Sequence, residues 1–287
     1  MNTKNAPRRA LKYTATLGAA AFVAALALTA CGSAPSAQPA SPPATHVVSA
    51  DKPTIVLVHG GFTDASEWDA EIKSLQSAGY PVVAPPNPLR GMASDSQYLH
   101  SFLLSVKGPI ILVGHSIGGF VTTEAAVGDP QVKALVYIAA LMPDVGETAT
   151  ELVGKYPGAT LGDNLQAVPF TLPGGGTGTD LYVKPDKFRE VYAADVPQSV
   201  TDVMAAAERP LAASMFGEKC TEAAWKTIPS WDLITTQDFA ATPAVQHFMA
   251  ARAHSHVTEV GSSHAVAISH PDAVTSIIEQ AAQATVQ

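Results

Sequence analysis

Residues 108–120, GPIILVGHSIGGF, restrict the fold of this chain more than any other stretch. The apolar run at residues 110–113 is typical of a strand that is buried on both faces, as strands of parallel sheets are. It leads directly into a G-x-S-x-G pattern, Gly114 to Gly118, whose glycines leave room for a tight turn around Ser116. The sequence therefore predicts a strand, a sharp turn and a helix. Ser116 would lie at the helix N terminus, where free N–H groups favour developing negative charge.

A G-x-S-x-G pattern is weak support for catalysis by itself, because a glycine-rich turn with an inert serine has the same letters. Its position between a strand and a helix is the context that a nucleophilic serine requires. A hydrolytic role also needs a general base, a carboxylate that orients this base, and N–H donors for an oxyanion. The rest of the chain offers a candidate for each.

Residues 54–62, TIVLVHGGF, predict another central strand that ends in a glycine-rich loop. Glycines directly after a buried strand let the backbone turn over the sheet edge and present N–H groups to neighbouring loops. We expect the N–H of Ile117 and that of Gly61 or Phe62 to form an oxyanion hole. His59 is a weaker candidate for the catalytic base, and a role in orienting the loop by hydrogen bonding is favoured.

Two polar residues follow predicted strands in the C-terminal part of the chain. Asp238 comes just after the strand predicted at residues 230–236, and His264 lies in the loop after the strand predicted at residues 256–260. The carboxyl ends of parallel strands meet at one edge of an open α/β sheet, where ligands bind. We therefore expect both side chains to reach Ser116.

Other carboxylates and histidines fit these roles less well. Asp232 lies inside a predicted strand and is poorly placed, whereas Glu259 ends a strand and stays an alternative acid. His254, His256 and His270 lack a position in a strand-end loop, and a surface imidazole is the default for each. The predicted order along the chain is therefore nucleophile, acid, histidine.

Strands and helices alternate along the chain, which is the pattern of a doubly wound α/β fold. Further strands are predicted at residues 80–84 and 132–138, and a helix is predicted at residues 94–106. The strand pattern fades between about residues 143 and 228. We therefore expect a mostly parallel sheet with a helical cap inserted at about residues 143–228.

Helical patterns within the cap appear around residues 187–194, 199–207 and 221–226. The cap also carries apolar side chains that could line a pocket for an acyl or aromatic group. Packing of the cap onto the body is the more common role for any single one of them. These residues are Phe170, Phe188, Tyr192, Met204, Met215 and Phe216.

The order Ser116, Asp238, His264 is that of the α/β-hydrolases, and the resemblance extends beyond the motif. The sequence resembles the small, cofactor-free esterases of that superfamily, which include the plant methylesterase and hydroxynitrile lyase branch and its bacterial relatives. The resemblance implies an α/β-hydrolase domain at residues 53–287, no cofactor, and a small-molecule ester as substrate. The similar segments cover the body and thin out in the cap: residues 56–68, 109–120, 136–147, 229–238 and 261–271.

The implied chemistry is two-step acyl transfer to Ser116, with His264 as the base and Asp238 as the residue that orients the imidazole. A hydroxynitrile lyase of this branch would carry Thr after the first-strand His and Lys after the catalytic His, whereas this chain has Gly60 and Ala265. A haloperoxidase-like side activity of the same triad stays open. The alternative from another class is an envelope-binding lipoprotein on a catalytically degenerate hydrolase fold, which leaves the filled triad positions unexplained.

Composition and spacing argue against some other classes of function. The 287-residue chain has a formal net charge of −8, whereas nucleic-acid binding relies on basic patches. Its nine histidines include no H-E-x-x-H or comparable ligand spacing, so no metal site is predicted. The remaining partner class is a small molecule.

The N-terminal region predicts export. Four basic residues, at positions 4, 8, 9 and 12, precede an uncharged run that ends in Leu-Thr-Ala-Cys31. A small residue before Cys31 resembles a lipobox, which implies a cleaved signal peptide at residues 1–30 and a lipid on Cys31 as the membrane attachment. An uncleaved membrane anchor is the alternative, which the mild hydrophobicity of the run disfavours. Residues 31–52 predict a flexible Ala/Ser/Pro tether, and we expect an exported protein held at the bacterial cell envelope.

Overall fold

The structure is a computed structural model that describes residues 52–285. Nine strands lie within these residues: β1 (Thr54–Val58), β2 (Val82–Val83), β3 (Ile110–His115), β4 (Val132–Ile138), β5 (Leu165–Thr171), β6 (Thr177–Val183), β7 (Leu211–Ala212), β8 (Ser230–Thr235) and β9 (His256–Val260). Six of them form a parallel sheet in the order β2-β1-β3-β4-β8-β9. The parallel α/β sheet predicted from the sequence is confirmed.

The same residues contain nine α-helices: α1 (Asp69–Ser77), α2 (Met92–Leu103), α3 (Ile117–Ala125), α4 (Ala149–Val153), α5 (Phe188–Tyr192), α6 (Gln198–Ala207), α7 (Pro243–Ala253), α8 (Val266–Ser269) and α9 (Pro271–Thr285). A 3₁₀ turn at Ala65–Trp68 precedes α1. Helices α2, α3 and α7 contribute to the core on one face of the sheet, and α1, α8 and α9 contribute to the core on the other. The sheet is therefore covered on both faces.

The buried pattern of the strands follows from this layering. Side chains of β1 alternate between the two cores, with Val56 and Val58 in one and Ile55 and Leu57 in the other. Every residue of β3 is buried, as expected for a central strand with apolar layers on both sides. The nucleophile turn predicted at the end of β3 thus starts from a fully buried strand of the sheet.

The prediction of a helical cap was incomplete, because the segment between β4 and β8 also contains an antiparallel sheet of β5, β6 and β7. Helices α5 and α6 correspond to two of the predicted cap helices, whereas residues 221–226 form only a 3₁₀ turn at Ala224–Lys226. Glycines 174–176, which connect β5 to β6, have φ between 90° and 97°, a conformation that glycine adopts readily. Residues of β5 and β6 are partly or fully exposed along most of their length, so the strands lack the apolar alternation that predicts a strand.

The predicted signal peptide at residues 1–30, the predicted lipid site Cys31 and the tether up to residue 51 lie outside the described residues. No helix between residues 52 and 285 is long and apolar enough to cross a membrane.

Candidate active site

Ser116 forms the turn between β3 and α3 in a strained backbone conformation, with φ of 53° and ψ of −125°. A positive φ of this kind costs a non-glycine residue about 1–3 kcal/mol and persists only where the surrounding structure imposes it. The neighbouring glycines allow the close packing, because a Cβ on Gly114 would lie 2.8 Å from the Gly119 backbone. A Cβ on Gly118 would lie 2.7 Å from the Val58 carbonyl oxygen. The predicted succession of strand, tight turn and helix is confirmed.

The structure brings the predicted nucleophile, base and acid together through two hydrogen bonds. His264 Nε2 lies 2.8 Å from Ser116 Oγ, and His264 Nδ1 lies 2.7 Å from Asp238 Oδ2. Because an ionised carboxylate only accepts hydrogen bonds, the proton of the imidazole belongs on Nδ1. Nε2 is then free to accept the proton of the Ser116 hydroxyl. Both His264 and Asp238 are almost completely buried.

Four further donors hold the Asp238 carboxylate. The backbone N–H groups of Ala240 and Ala241 donate to Oδ1 at 2.7 and 3.0 Å. The Thr235 hydroxyl and the Gln246 amide donate to Oδ2 at 2.8 and 3.1 Å. These bonds fix the direction of the carboxylate, so that His264 receives a defined acceptor. Gln246 was not singled out from the sequence, since nothing near it in the chain marks it.

The alternative acids do not contact His264. Asp232 is buried inside β8, its carboxylate has no hydrogen-bond partner among residues 52–285, and burial raises its pKa well above the usual range. Glu259 lies in the edge strand β9, about half of its side chain is exposed, and its nearest ionisable partner is His247 at 3.6 Å. Asp238 is therefore the carboxylate that meets the geometric requirement.

Backbone N–H groups converge beside Ser116. Gly61, Phe62 and Ile117 line the same small cavity as Ser116 and His264. In the described part of the chain, none of these three N–H groups donates to another protein group. Free N–H groups beside a nucleophile are the donors that an oxyanion hole needs.

His59 organises the loop that carries Gly61 and Phe62. Its Nδ1 donates to the Gly60 carbonyl at 2.9 Å, and its Nε2 accepts from the Asn87 N–H at 3.0 Å. Burial lowers the pKa of His59, which agrees with a neutral ring that donates at one nitrogen and accepts at the other. These contacts agree with the loop-orienting role that the sequence favoured.

The cavity beside Ser116 is small, and no Asp, Glu, Lys or Arg side chain lines it. Its volume is about 40 Å³, which is enough for roughly three water molecules. The other lining residues are apolar or aromatic: Leu141, Val153, Leu161, Tyr192, Leu211, Phe216, Ala240 and Ala241. The site as described therefore accommodates only a small apolar group next to the nucleophile.

Of the cap residues proposed to line a pocket, Tyr192 and Phe216 do so. Phe188 packs behind Tyr192 with the ring centroids 5.2 Å apart, and Met215 is part of the core. The last two lie elsewhere: Met204 faces a separate surface groove of about 520 Å³, and Phe170 lies beside the Arg90 guanidinium. The packing role therefore applies to Phe188 and Met215, and Met204 and Phe170 do not line the cavity beside Ser116.

A sequence model described as the alpha/beta hydrolase family matches residues 55–277. The chain belongs to the α/β-hydrolase family. Among its curated relatives, an α/β-hydrolase of Aspergillus novofumigatus, nvfD, is 27% identical over 255 residues, which cover 80% of this chain and 97% of the relative. A pyrethroid hydrolase of Sphingobium wenxiniae is 28% identical over 158 residues, which cover 50% of this chain and 55% of the relative.

The crystal structure of polyneuridine aldehyde esterase superimposes on this α/β-hydrolase with a TM-score of 0.70 at 19% identity, over 80% of this chain and 98% of the other. At this identity the likeness shows the fold. It does not extend to the substrate.

The cap of this α/β-hydrolase also holds the loop that carries His264. Asp195, which follows α5, accepts hydrogen bonds from the Ser262 hydroxyl at 2.9 Å and from the Ser263 N–H at 3.3 Å, and it also bonds the Ser263 hydroxyl. The Ala265 N–H donates to the Tyr192 carbonyl at 3.1 Å. Sequence reasoning missed these contacts, because they join residues more than 60 positions apart.

A second missed feature is a buried pair behind the nucleophile turn. His115, the residue before Ser116, lies with Nδ1 3.1 Å from a carboxylate oxygen of Glu67. The motif marked the position of His115, but no local signal marked Glu67 as its partner. The α/β-hydrolase body thus contains an ionisable pair next to the site that the G-x-S-x-G pattern does not require.

Proposed function

We propose that this protein is a carboxylic ester hydrolase, with Ser116 as nucleophile, His264 as general base and Asp238 as the residue that orients the base. The observation that carries the proposal is the chain of hydrogen bonds of 2.8 and 2.7 Å that joins the three side chains. Membership of the α/β-hydrolase family and relatives named as hydrolases support hydrolytic chemistry.

In the acylation step, His264 Nε2 accepts the hydroxyl proton of Ser116 while Oγ attacks the ester carbonyl carbon. The bond between this carbon and the alcohol oxygen then breaks, and His264 returns the proton to the departing oxygen. The products are free alcohol and an acyl ester of Ser116. Water next attacks the acyl carbon while His264 accepts a proton from it. The bond between this carbon and Ser116 Oγ then breaks, His264 returns the proton to Oγ, and the carboxylic acid leaves. Asp238 stabilises the imidazolium that forms in both steps.

The N–H of Ile117 and that of Gly61 or Phe62 would bind the carbonyl oxygen as it becomes negative. Such donors act in a site that excludes water, so their contribution is larger than that of a hydrogen bond in solution. Removal of one donor of this kind costs about 3 kcal/mol of transition-state stabilisation. The turn at Ser116 places Ile117 at the start of α3, where its N–H has no acceptor within residues 52–285.

The proposed substrates are esters of small to medium size with an uncharged acyl group. The lining of the cavity carries no Asp, Glu, Lys or Arg side chain, so a charged acyl group would lose its hydration without gaining a partner. The volume of about 40 Å³ favours short acyl groups, and longer ones require displacement of cap side chains such as Phe216. The alcohol group of the ester would face the cavity mouth.

An activity-based probe tests the proposal. A fluorophosphonate should label the wild-type protein and the Ser101→Ala control, in which an exposed serine of α2 is removed, and should fail to label Ser116→Ala. Hydrolysis of p-nitrophenyl acetate should follow the same pattern. Ester turnover by Ser116→Ala at the wild-type rate would refute the mechanism. A folded wild-type protein without labelling or turnover would favour the binding lipoprotein instead.

We also propose that the protein is exported and anchored by a lipid on Cys31 at the bacterial cell envelope. The support is the basic N-terminal segment, the uncharged run and the small residue before Cys31. Metabolic labelling with an alkyne fatty acid should mark the wild-type protein and a Cys220→Ser control, and the label should disappear in Cys31→Ser. Retention of the label in Cys31→Ser would contradict this anchor.

A further inference from the structure

Glu67 and His115 face each other behind the nucleophile turn, outside the cavity that Ser116 lines. His115 Nδ1 lies 3.2 and 3.1 Å from the two carboxylate oxygens of Glu67. The two side chains are 3% and 1% exposed. Removing a pair of charges from water costs free energy unless each charge has several hydrogen-bond partners. The other contacts of Glu67 and His115 therefore indicate the role of the pair.

Those contacts join three loops of the candidate site. The Gly60 N–H, at the start of the loop that carries Gly61, donates to Glu67 at 3.2 Å. His115 Nε2 lies 3.0 Å from the carbonyl oxygen of His264. His115 itself precedes Ser116. The pair therefore links three segments: the loop of Gly60 to Phe62 (the oxyanion loop), the turn at Ser116 (the nucleophile turn) and the loop that carries His264 (the base loop).

Close packing at Gly60 keeps this link short. A Cβ on Gly60 would lie 2.7 Å from His115 Nδ1 and 2.9 Å from Ser116 Cβ. Only glycine therefore lets the oxyanion loop pass directly over the His115 ring. The ring is further enclosed by the Trp68 and Tyr192 rings, which meet it edge to face at centroid distances of 6.2 and 6.5 Å.

The hydrogen-bond partners of His115 indicate a charged ring. A backbone carbonyl only accepts, so Nε2 carries a proton, and Nδ1 faces a carboxylate. Burial opposes the imidazolium, but the charge and the hydrogen bonds of Glu67 outweigh it and raise the pKa of His115 above its usual value. The cation lies between the two partners, with Glu67 at Nδ1 and the His264 carbonyl at Nε2.

The His115 ring lies close to the ring of the base, with the two centroids 4.9 Å apart. The pair therefore lies directly behind the base, on the side away from the cavity. The other ionisable groups around the pair are Glu71, His59, Tyr192, Asp238 and His264.

We propose that Glu67 and His115 are a positioning pair, which locks the oxyanion loop and the base loop onto the nucleophile turn. The proposal rests on the proposed esterase function for its kinetic consequences. Its structural consequences are measurable without turnover. Neither residue touches the reacting atoms.

The test compares the wild-type protein with Glu67→Gln and with Asp69→Asn, a control that removes an exposed acid at the start of α1. We expect Glu67→Gln to lower kcat about 5- to 10-fold with KM within about twofold, because the loops are less well fixed. In a ¹H–¹⁵N NMR spectrum the backbone amide signals of Gly60 and Ala265 should shift in Glu67→Gln and stay at their wild-type positions in Asp69→Asn, because the pair bonds the Gly60 N–H and the His264 carbonyl.

A double variant, Glu67→Gln with His115→Gln, separates hydrogen bonding from charge. Two amides can keep the bonds to Gly60 and to the His264 carbonyl without any charge. We expect kcat to recover to within about twofold of the wild type and the Gly60 and Ala265 amide signals to return towards their wild-type positions, because the bonds between the loops are restored. If Glu67→Gln does not fold, this neutral pair provides both measurements.

The proposal is overturned if Glu67→Gln matches Asp69→Asn in kcat and in the Gly60 and Ala265 amide signals, or if the double variant stays as slow as Glu67→Gln. A wild-type protein that lacks Ser116-dependent hydrolysis would refute the esterase function alone. The amide signals would still decide whether the pair holds the two loops.

Discussion

The Tyr192 hydroxyl donates a hydrogen bond of 3.1 Å to the Gly61 carbonyl oxygen, so a side chain of the cap holds the loop with two candidate oxyanion donors. The Tyr192 ring also packs edge to face against His264 at a centroid distance of 5.0 Å. Its backbone carbonyl accepts from the Ala265 N–H. One residue of the insert thus contacts both sides of the candidate site, and the cap forms part of the site.

Replacement of Tyr192 by Phe removes this hydroxyl and keeps the ring. We expect kcat/KM for p-nitrophenyl acetate to fall about 5- to 10-fold, because a hydrogen bond worth about 1 kcal/mol no longer fixes the Gly61 carbonyl. Steady-state kinetics measure the fall in kcat/KM, and urea unfolding measures the loss of stability from the missing hydrogen bond. Tyr182→Phe, which removes a hydroxyl from β6 outside the cavity, is the matched control. An equal loss of activity in both variants would contradict the role of Tyr192.

The assignment of Asp238, rather than Glu259, as the residue that orients His264 predicts a large difference in kcat between two conservative substitutions. Asp238→Asn should lower kcat about 10⁴-fold, because an amide no longer holds His264 in the tautomer that accepts the Ser116 proton. Glu259→Gln should keep kcat within about twofold, since this side chain is half exposed and lies beside His247. Single-turnover kinetics with both variants measure the effect. A greater loss in Glu259→Gln would show that the acid is misassigned.

Phe216 limits the cavity beside Ser116, so its truncation should change the acyl preference. In Phe216→Ala we expect the kcat/KM ratio of p-nitrophenyl octanoate to p-nitrophenyl acetate to rise about 10-fold, because added methylenes gain a buried site. Phe170→Ala removes a phenyl ring from the cap outside this cavity and serves as the control. An unchanged ratio in Phe216→Ala would mean that the acyl group binds elsewhere.

Glu71 makes stability depend on pH. It is fully buried, both of its carboxylate oxygens lack hydrogen-bond partners within residues 52–285, and burial raises its pKa to about 9 from a usual value of 4.5. Between these two values the unfolded chain releases the proton that the folded chain keeps. Stability is therefore lost as the pH rises from 4.5 towards 9, and the loss at pH 7 is about 3 kcal/mol.

Replacement of Glu71 by Met should raise the free energy of unfolding at pH 7 by about 3 kcal/mol and should have little effect at pH 4.5. Denaturant unfolding at both pH values measures the difference. Glu190→Met, at an exposed position of α5, should show no such dependence. A gain that is the same at both pH values would mean that the carboxyl of Glu71 does not titrate as described.

The elements that position the candidate nucleophile, base and acid are predictable because local patterns encode them. The apolar run of β3 and the steric demands of Gly114 and Gly118 define the turn at Ser116. Asp238 and His264 follow strands, and parallel strands bring their carboxyl ends to the same edge of the sheet. Once the sheet is predicted, the meeting of these side chains follows from topology.

The cap shows where local patterns fail. Strands β5 and β6 are mostly accessible to solvent, so their side chains do not alternate between apolar and polar, and the sequence suggested helices alone. The choice of cap residues that line the cavity also depended on packing. Phe188 and Tyr192 are both aromatic residues of α5, yet only Tyr192 reaches the site.

The sequence by itself determined the parallel sheet, the turn at Ser116 and the order of nucleophile, acid and histidine, because each depends on short-range sterics or on the period of buried strands. Only the tertiary structure decided that Glu67 pairs with His115 and that His115 bonds the His264 carbonyl. These contacts join residues 48 and 149 positions apart. They depend on how side chains pack between layers, which no local pattern specifies.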